Sequence, residues 1–231
     1  MQLSERMRAV AAFVTPGNRV ADVGCDHGYL AIWLCAEKIV PSALALDVNP
    51  GPLSAARQNI AARGLEAYIQ TRLSDGLASL EPGEADTVVI AGMGGRLMSR
   101  ILREGKRPLF SVKELVLEPQ SEAGEVRRCL SGLGFQIVRE NMVREAGKFY
   151  PVIRGVPGSG RELETEELKY GPCLLREGHP VLLESLKKEE KQLGQLLQAL
   201  AARGENRSRE RYLEIQEELR VIRRALAYYE K

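Results

Sequence analysis

The sequence has few of the residues that build metal sites and disulfide frameworks. Its 231 residues include only two histidines, His27 and His179, and four cysteines that never form a CxxC pair. Structural zinc sites need four Cys or His ligands at short, regular spacings. We therefore expect no bound metal and a protein that works in a reducing compartment.

Long apolar runs are missing as well. No run of 18 apolar residues occurs, and residues 1–8 carry charges where a secretory signal needs an apolar core. The 33 basic and 31 acidic residues give a formal net charge of +2, a near balance that permits an RNA partner without requiring one. These features predict a cytoplasmic protein that does not bind membranes.

Short apolar runs alternate with helical patterns over the first two thirds of the chain. Five such runs, at residues 19–23, 42–46, 68–72, 87–91 and 113–117, predict parallel strands buried on both faces of an α/β sheet. Two further strand patterns, at 135–140 and 149–154, have only a turn at 145–148 between them and predict an antiparallel hairpin. Such a hairpin ends the seven-stranded, mostly parallel sheet of Rossmann-like class I methyltransferases, whereas a dinucleotide dehydrogenase continues with another βαβ half.

The composition changes after a Pro- and Gly-rich segment at residues 157–160. Leucines recur at helical spacing over residues 182–200, and a second apolar stripe runs over 212–226. Two long amphipathic helices forming an antiparallel coiled-coil hairpin explain this pattern. We predict a catalytic domain at 1–157 and a C-terminal α-helical domain at 161–231.

The turn after the first strand carries glycines and acids together. Gly24 and Gly28 allow the backbone to approach a ligand closely. The carboxylates of Asp22 and Asp26 would repel the pyrophosphate that a GxGxxG turn binds, but they suit a ligand with an ammonium and a sulfonium. The turn therefore favours S-adenosylmethionine as cofactor over NAD.

Two more acids follow the next two strands. Asp47 is placed to accept hydrogen bonds from ribose hydroxyls, and Asp75 to accept one from the adenine amino group. Alone, each aspartate is more simply a turn or capping residue, but three acids at consecutive strand ends favour a cofactor site. The predicted cofactor-binding residues are Asp22, Gly24, Cys25, Gly28, Asp47, Val48, Asp75, Gly76, Ala91, Gly92 and Met93.

A glycine-rich segment, residues 92–95, follows the fourth strand, where a methyl acceptor would enter. It is either a flexible turn or a backbone that must lie against a flat base, because so many glycines carry an entropic cost. No Asn-Pro-Pro-Tyr or Asp-Pro-Pro-Tyr motif stands here. Methylation of an exocyclic amino group is therefore disfavoured.

Five segments together resemble one family. They are LSERM (3–7), DVGCDHGYL (22–30), SDGL (74–77), AGMGG (91–95) and LEPQ (117–120). They resemble the bacterial tRNA (adenine-N1)-methyltransferase family TrmK, which methylates N1 of adenine 22 in tRNA. The resemblance implies a catalytic domain with a coiled-coil appendage, S-adenosylmethionine as cofactor and tRNA as partner.

The chemistry at adenine N1 suggests roles for three residues. The N1 lone pair needs no base, so orientation should dominate, and a carboxylate would stabilise the cationic ring in the transition state. We expect Asp26 to act in this way or to hold the N6 amino group, with His27 or Tyr29 helping to shape the pocket. The alternative for His27 is a turn histidine bonded to backbone. The predicted substrate-binding residues are Gly94, Gly95, Arg96, Glu118, Gln120, Arg207 and Arg209.

Basic residues at the predicted helical tip, Arg207 and Arg209, are candidates for phosphate contacts, although such charges usually mark solvated helix faces. The predicted function is methyl transfer to N1 of an adenine in tRNA. A methyltransferase acting on another RNA base or on a small molecule stays an alternative. We expect a monomer, with self-association through the helical tail left open.

Overall fold

The structure is a computed structural model. It describes residues 2–203 and 208–230, and within these the side chains of all but residues 201–203, 208 and 209. The chain divides into two compact units, Met1–Glu162 and Leu163–Lys231. Each unit is described by itself.

A seven-stranded mixed sheet forms the centre of the first unit, and its spatial order is β3-β2-β1-β4-β5-β7-β6. The strands β1 to β5 are parallel, and β7 runs antiparallel to both β5 and β6. This confirms the predicted Rossmann-like sheet with its reversed hairpin. The strands are β1 Val20–Val23, β2 Ala43–Asp47, β3 Ile69–Leu73, β4 Thr87–Gly94, β5 Glu114–Ser121, β6 Phe135–Glu145 and β7 Lys148–Pro157.

Helices cover both faces of this sheet, which explains why its central strands are buried and mostly apolar. Alternate residues of each strand enter opposite cores: Val89 packs in one core, and Val88 and Ile90 pack in the other. The helices are α1 Glu5–Ala11, α2 Tyr29–Ala36, α3 Pro50–Ala61, α4 Gly95–Glu104, α5 Lys106–Leu109 and α6 Ala123–Gly132. The first three helices border one core, and the last three border the other.

The glycine-rich segment differs from its predicted form. β4 was expected to end at Ala91 but continues to Gly94, because it keeps pairing with β5 through a register irregularity around Met93. α4 then begins directly at Gly95, where an added Cβ would lie 2.5 Å from the carbonyl oxygen of Glu122. The segment is therefore an irregular strand end that runs straight into a helix, and not a free turn.

The terminal hairpin is longer than its sequence pattern indicated. β6 and β7 pair from Phe135 opposite Pro157 to Glu145 opposite Lys148. Ala146 and Gly147 form the turn with φ of 48° and 77°, the left-handed conformation that two-residue hairpin loops prefer. Glu145 thereby stands at the end of β6.

The second unit is helical throughout its regular structure. It contains α7 Thr165–Tyr170, α8 Pro172–Arg176, α9 Pro180–Arg203, α10 Ser208–Leu226 and a final 3₁₀ turn, Ala227–Tyr229. The two long helices were predicted, and α7 and α8 were not. α9 and α10 pack against each other with Leu186 and Ile222 fully buried, and Arg223 lies 3.8 Å from Glu190. None of the helices in the described parts of the chain is long and apolar enough to cross a membrane.

Candidate active site

The loop between β1 and α2 turns sharply through left-handed backbone conformations. Gly24 and Gly28 both have φ of 73°, and Asp26 between them has φ of 51°. The amide of Gly24 donates to the carbonyl of Leu46 at 2.8 Å, which ties the loop to β2. A Cβ added at Gly24 would lie 2.2 Å from Cε of Met93. The left-handed backbone therefore favours glycine at residue 24, and the flexible end of the Met93 side chain would have to move aside for a Cβ.

Asp22 is the most perturbed acid of the site. Its carboxylate is buried, and Oδ2 has no hydrogen-bond partner among the described residues. Burial, opposed by the Ala31 amide and aided by the charge of Asp47, raises the pKa of Asp22 to about 7. A buried carboxylate oxygen without a partner is costly, and a cationic ligand group would remove that cost.

A cavity of about 690 Å³ opens beside this loop, at the carboxyl ends of β1 and β4. Eight of the predicted site residues line it: Asp22, Gly24, Cys25, Asp26, Tyr29, Ala91, Gly92 and Gln120. The sequence therefore identified the lining residues that come from β1, the loop after it, and the ends of β4 and β5. The cavity joins the residues predicted for the cofactor to those predicted for the substrate, as a group-transfer site requires.

Residues of the N-terminal segment form a part of the wall that was not predicted to belong to the site. Gln2, Leu3, Ser4, Arg6 and Met7 line the cavity. The segment is placed by α1, whose N-cap Ser4 accepts a bond from the Met7 amide at 3.3 Å. The sequence did offer one signal for this part of the site, because the segment LSERM (3–7) is among those that carry the family resemblance.

Arg63, like Leu30, is a further cavity residue that was not predicted to belong to the site. It follows α3, and its Nη1 donates to the carbonyl of Asn59 at 3.2 Å. Asn59 in turn donates to the carbonyl of His27 at 3.0 Å. No sequence pattern marked Arg63, because a single arginine after a helix is common on protein surfaces.

The acids after β2 and β3 lie along the same edge of the sheet, outside the lining of this cavity. Asp47 is buried, and its two oxygens accept the amides of Asp26 at 3.3 Å and Asn49 at 2.8 Å. It therefore braces both loops, and each oxygen keeps a lone pair for a ligand hydroxyl. Val48 beside it is exposed.

The turn after β3 is organised by a residue that was not singled out. The Ser74 hydroxyl donates to the Gly76 carbonyl at 2.9 Å and accepts the Ser79 amide at 3.1 Å. This leaves Asp75 exposed at the turn. Gly76 has φ of 56°, and a Cβ there would lie 2.9 Å from Ile101.

An exposed pair of rings stands on the first loop. The rings of His27 and Tyr29 stack with centroids 5.6 Å apart and an angle of 24° between their planes. Nε2 of His27 lies 3.4 Å from Oδ1 of Asp26, and both side chains are largely accessible. The loop thus offers a flat surface beside a carboxylate, an arrangement suited to a nucleobase.

The strand ends of β4 and β5 are joined by Glu118, which is fully buried. Its Oε2 accepts the Gly92 amide at 2.8 Å and Nη1 of Arg6 at 2.9 Å. Burial raises the pKa of Glu118, whereas Arg6 and the Gly92 amide oppose the rise.

Three further predicted substrate residues of the first unit lie near the start of α4. Gly94 and Gly95 stand where β4 meets α4. Arg96, in the first turn of α4, is exposed and pairs with Glu122 at 2.7 Å. Arg207 lies outside the described residues, and so does the side chain of Arg209. In the parts of the chain that are described, no three His, Cys, Asp or Glu residues are grouped to hold a metal ion.

A parallel sheet ended by a reversed hairpin, with acids along the carboxyl ends of its first strands, defines a Rossmann-like methyltransferase. Residues 3–153 match the family described as "Methyltransferase domain". A Bacillus subtilis tRNA (adenine(22)-N(1))-methyltransferase is 33% identical over 195 residues, covering 82% of each chain. The present chain belongs to this methyltransferase family.

Two solved structures are similar over nearly the whole length. A Streptococcus pneumoniae protein in complex with S-adenosyl-L-methionine is 36% identical, covers 97% of this chain and 100% of its own, and has a TM-score of 0.88. M. capricolum TrmK in complex with S-adenosyl-homocysteine is 26% identical, covers 99% of each chain and has a TM-score of 0.86.

Proposed function

We propose that the protein transfers the methyl group of S-adenosylmethionine to N1 of adenine 22 in tRNA. The observation that carries the proposal is the unpartnered Asp22 oxygen at a cavity large enough for a cofactor end and a base, in a chain with tRNA-methylating relatives. Bound S-adenosylmethionine supplies an electrophilic methyl group. The chain's own residues bind the cofactor and the adenine, orient them, and exclude water from the site.

The residues at the first three strand ends fit this cofactor. Asp22 would accept a hydrogen bond from the ammonium group at the methionine end of the cofactor, since its Oδ2 lacks a partner. The glycines at 24 and 28 let the loop backbone, including Cys25, lie close to the cofactor. Asp47 and Val48 would border the ribose, and Asp75 and Gly76 the adenine. Ala91, Gly92 and Met93 would close the opposite side.

Adenine N1 makes modest chemical demands, because its lone pair attacks without prior loss of a proton. We assign the main catalytic task to orientation. His27 and Tyr29 would stack on the base, and Asp26 would stabilise the positive charge that develops on the ring or hold its amino group. The exposure of all three residues beside the cavity supports this assignment.

We propose that the second unit is a coiled-coil hairpin that binds tRNA. The packing of α9 on α10 supports the hairpin, and Leu196 is 42% exposed, as expected for a hairpin of only two helices. The arginines at 207 and 209, together with Arg96, Gln120, Gly94 and Gly95, are the proposed RNA contacts, whereas Glu118 is fully buried and would act by holding Gly92. Phosphate contacts of this kind would make affinity fall with salt.

We also propose a monomer working in the cytoplasm. The four cysteines are buried and none of them is in a disulfide bond, which suits a reducing compartment. Light scattering of the full chain at several concentrations tests the monomer, with self-association through the helical arm as the contrary outcome.

A methylation assay tests the function directly. The purified protein, labelled cofactor and a tRNA transcript with adenine at position 22 should yield 1-methyladenosine by nucleoside mass spectrometry. A matched transcript with guanine 22 should yield none, because guanine N1 carries a proton. Label on another base would place the activity elsewhere in RNA, and label on neither transcript would overturn the proposal.

A further inference from the structure

Arg6 joins the N-terminal helix to the strand ends around the cavity. It stands in the first turn of α1, and its side chain lines the cavity. Nη1 lies 2.9 Å from Glu118 Oε2, and the backbone amide donates to Glu145 Oε1 at 3.2 Å. The guanidinium also lies 5.2 Å from the centre of the Tyr150 ring. One residue thus contacts β5, β6 and β7.

Glu118 is the partner whose state depends on Arg6. Its side chain is fully buried, and an ionised carboxylate in such a place needs an opposite charge or several donors. Burial raises the pKa of Glu118, and Glu145 raises it further, whereas Arg6 and the Gly92 amide lower it. Without Arg6, the carboxylate would lose its nearest cation and take up a proton at higher pH.

Gly92 depends on Glu118 because the sheet does not hold it. Ala91 pairs with Glu118 and Met93 with Pro119, but the register shifts between them and leaves Gly92 unpaired in the ladder. The Gly92 amide donates instead to the Glu118 carboxylate at 2.8 Å. Gly92 has φ of 79° and lines the cavity, so this bond sets the position of the cavity wall.

We propose that Arg6 is a positioning residue for methyl transfer: its guanidinium holds the Glu118 carboxylate, and Glu118 holds Gly92 in place against the reacting groups. The inference rests on the proposed function, since it concerns the geometry of that reaction. Its consequence is that α1, which carries none of the predicted cofactor residues, controls turnover.

Substitutions in the full-length chain test this assignment. Arg6→Met should lower kcat for tRNA about tenfold to a hundredfold, the cost of a misplaced reacting group, while KM for tRNA stays near that of the wild type. In a plot of kcat against pH, the fall in kcat on the acidic side should lie at higher pH in Arg6→Met than in the wild type. Arg6→Lys keeps the charge and should restore most of kcat. Arg8 is an exposed arginine of the same helix, so the control variant Arg8→Met should have the wild-type kcat and pH profile.

A double-substitution cycle separates action through Glu118 from a direct contact with RNA. If Arg6 acts through Glu118, Arg6→Met should cost little more once Glu118→Gln has removed the charge. The inference would be overturned if the kcat losses of the two single substitutions multiplied in the double variant. It would also be overturned if the Arg6→Met protein had the wild-type kcat and pH profile. If melting curves show that Arg6→Met is unfolded, Arg6→Lys takes its place in the test. Most of the wild-type kcat in Arg6→Lys then supports the inference, and a tenfold or larger loss contradicts it. A wild-type protein that forms no 1-methyladenosine would overturn the proposed function itself.

Discussion

The buried Asp22 carboxylate makes cofactor binding dependent on pH. Asp22→Asn keeps the size of the side chain and removes its charge. In the free protein, burial raises the pKa of Asp22 to about 7. The ammonium of the cofactor binds the ionised form, so binding in the wild type must be accompanied by loss of a proton at low pH.

The size of the effect follows from that pKa. About ten elevenths of Asp22 is ionised at pH 8 and about one eleventh at pH 6, so cofactor affinity should fall about tenfold, or about 1.4 kcal/mol, between these values. Asp22→Asn should bind more weakly at pH 8 and lose this pH dependence.

Stability should respond in the opposite direction. The pKa of Asp22 is higher in the folded protein than its ordinary value of 3.8, so its contribution to stability is fully present below pH 3.8 and is lost as pH rises through 7. The difference corresponds to about 4 kcal/mol at high pH. The cofactor-free Asp22→Asn protein should therefore be more stable than the wild type at pH 8, and the gap should narrow by about 2 to 3 kcal/mol at pH 5.

Calorimetric titration with S-adenosylhomocysteine at pH 6, 7 and 8 measures the binding effect, and urea unfolding measures the stability. 5′-Methylthioadenosine, which lacks the amino-acid end, is the control ligand, and both proteins should bind it equally. A wild-type affinity for S-adenosylhomocysteine that is flat from pH 6 to 8, or an Asp22→Asn protein that binds equally well at pH 8, would refute the reasoning.

Four further predictions concern the loops and the second unit. Asp26→Ala should lower kcat at least tenfold with cofactor affinity intact, and near-normal turnover would contradict its role. Gly24→Ala should destabilise the protein by about 1 kcal/mol or more and weaken cofactor binding, as seen in melting and titration, because an alanine is strained at φ of 73° and its Cβ would displace the end of Met93. Asp47→Ala should weaken cofactor binding by releasing two loop amides; unchanged affinity in the same titration would exclude this. A chain ending at Glu162 should bind cofactor but not methylate tRNA, and full-rate methylation would refute the role of the second unit.

Local patterns predicted the order of strands and helices because they act over a few residues. Apolar runs indicated the buried strands, and the helical patterns between them indicated the helices that cover the sheet. Gly24 and Gly28 marked the left-handed turn, since few other residues adopt it without strain. The reversed hairpin could be inferred because no helix separates its strands.

Contacts between distant residues were beyond those patterns. β4 continues past Ala91 only because β5 lies beside it, and the partner of Arg6 is 112 residues away. Neither burial nor register follows from a single segment, because each depends on which other segments fold against it.

The sequence by itself thus determined the strand and helix order, the acids at the strand ends and the turn that brings backbone to a ligand, because these depend on local conformation and on the period of apolar residues. Only the tertiary structure decided that Asp22 keeps an unpartnered oxygen, that Asp47 braces two loops, and that Arg6 and Glu118 hold Gly92. The physical reason is that desolvation and charge pairing arise only when distant parts of the chain exclude water together.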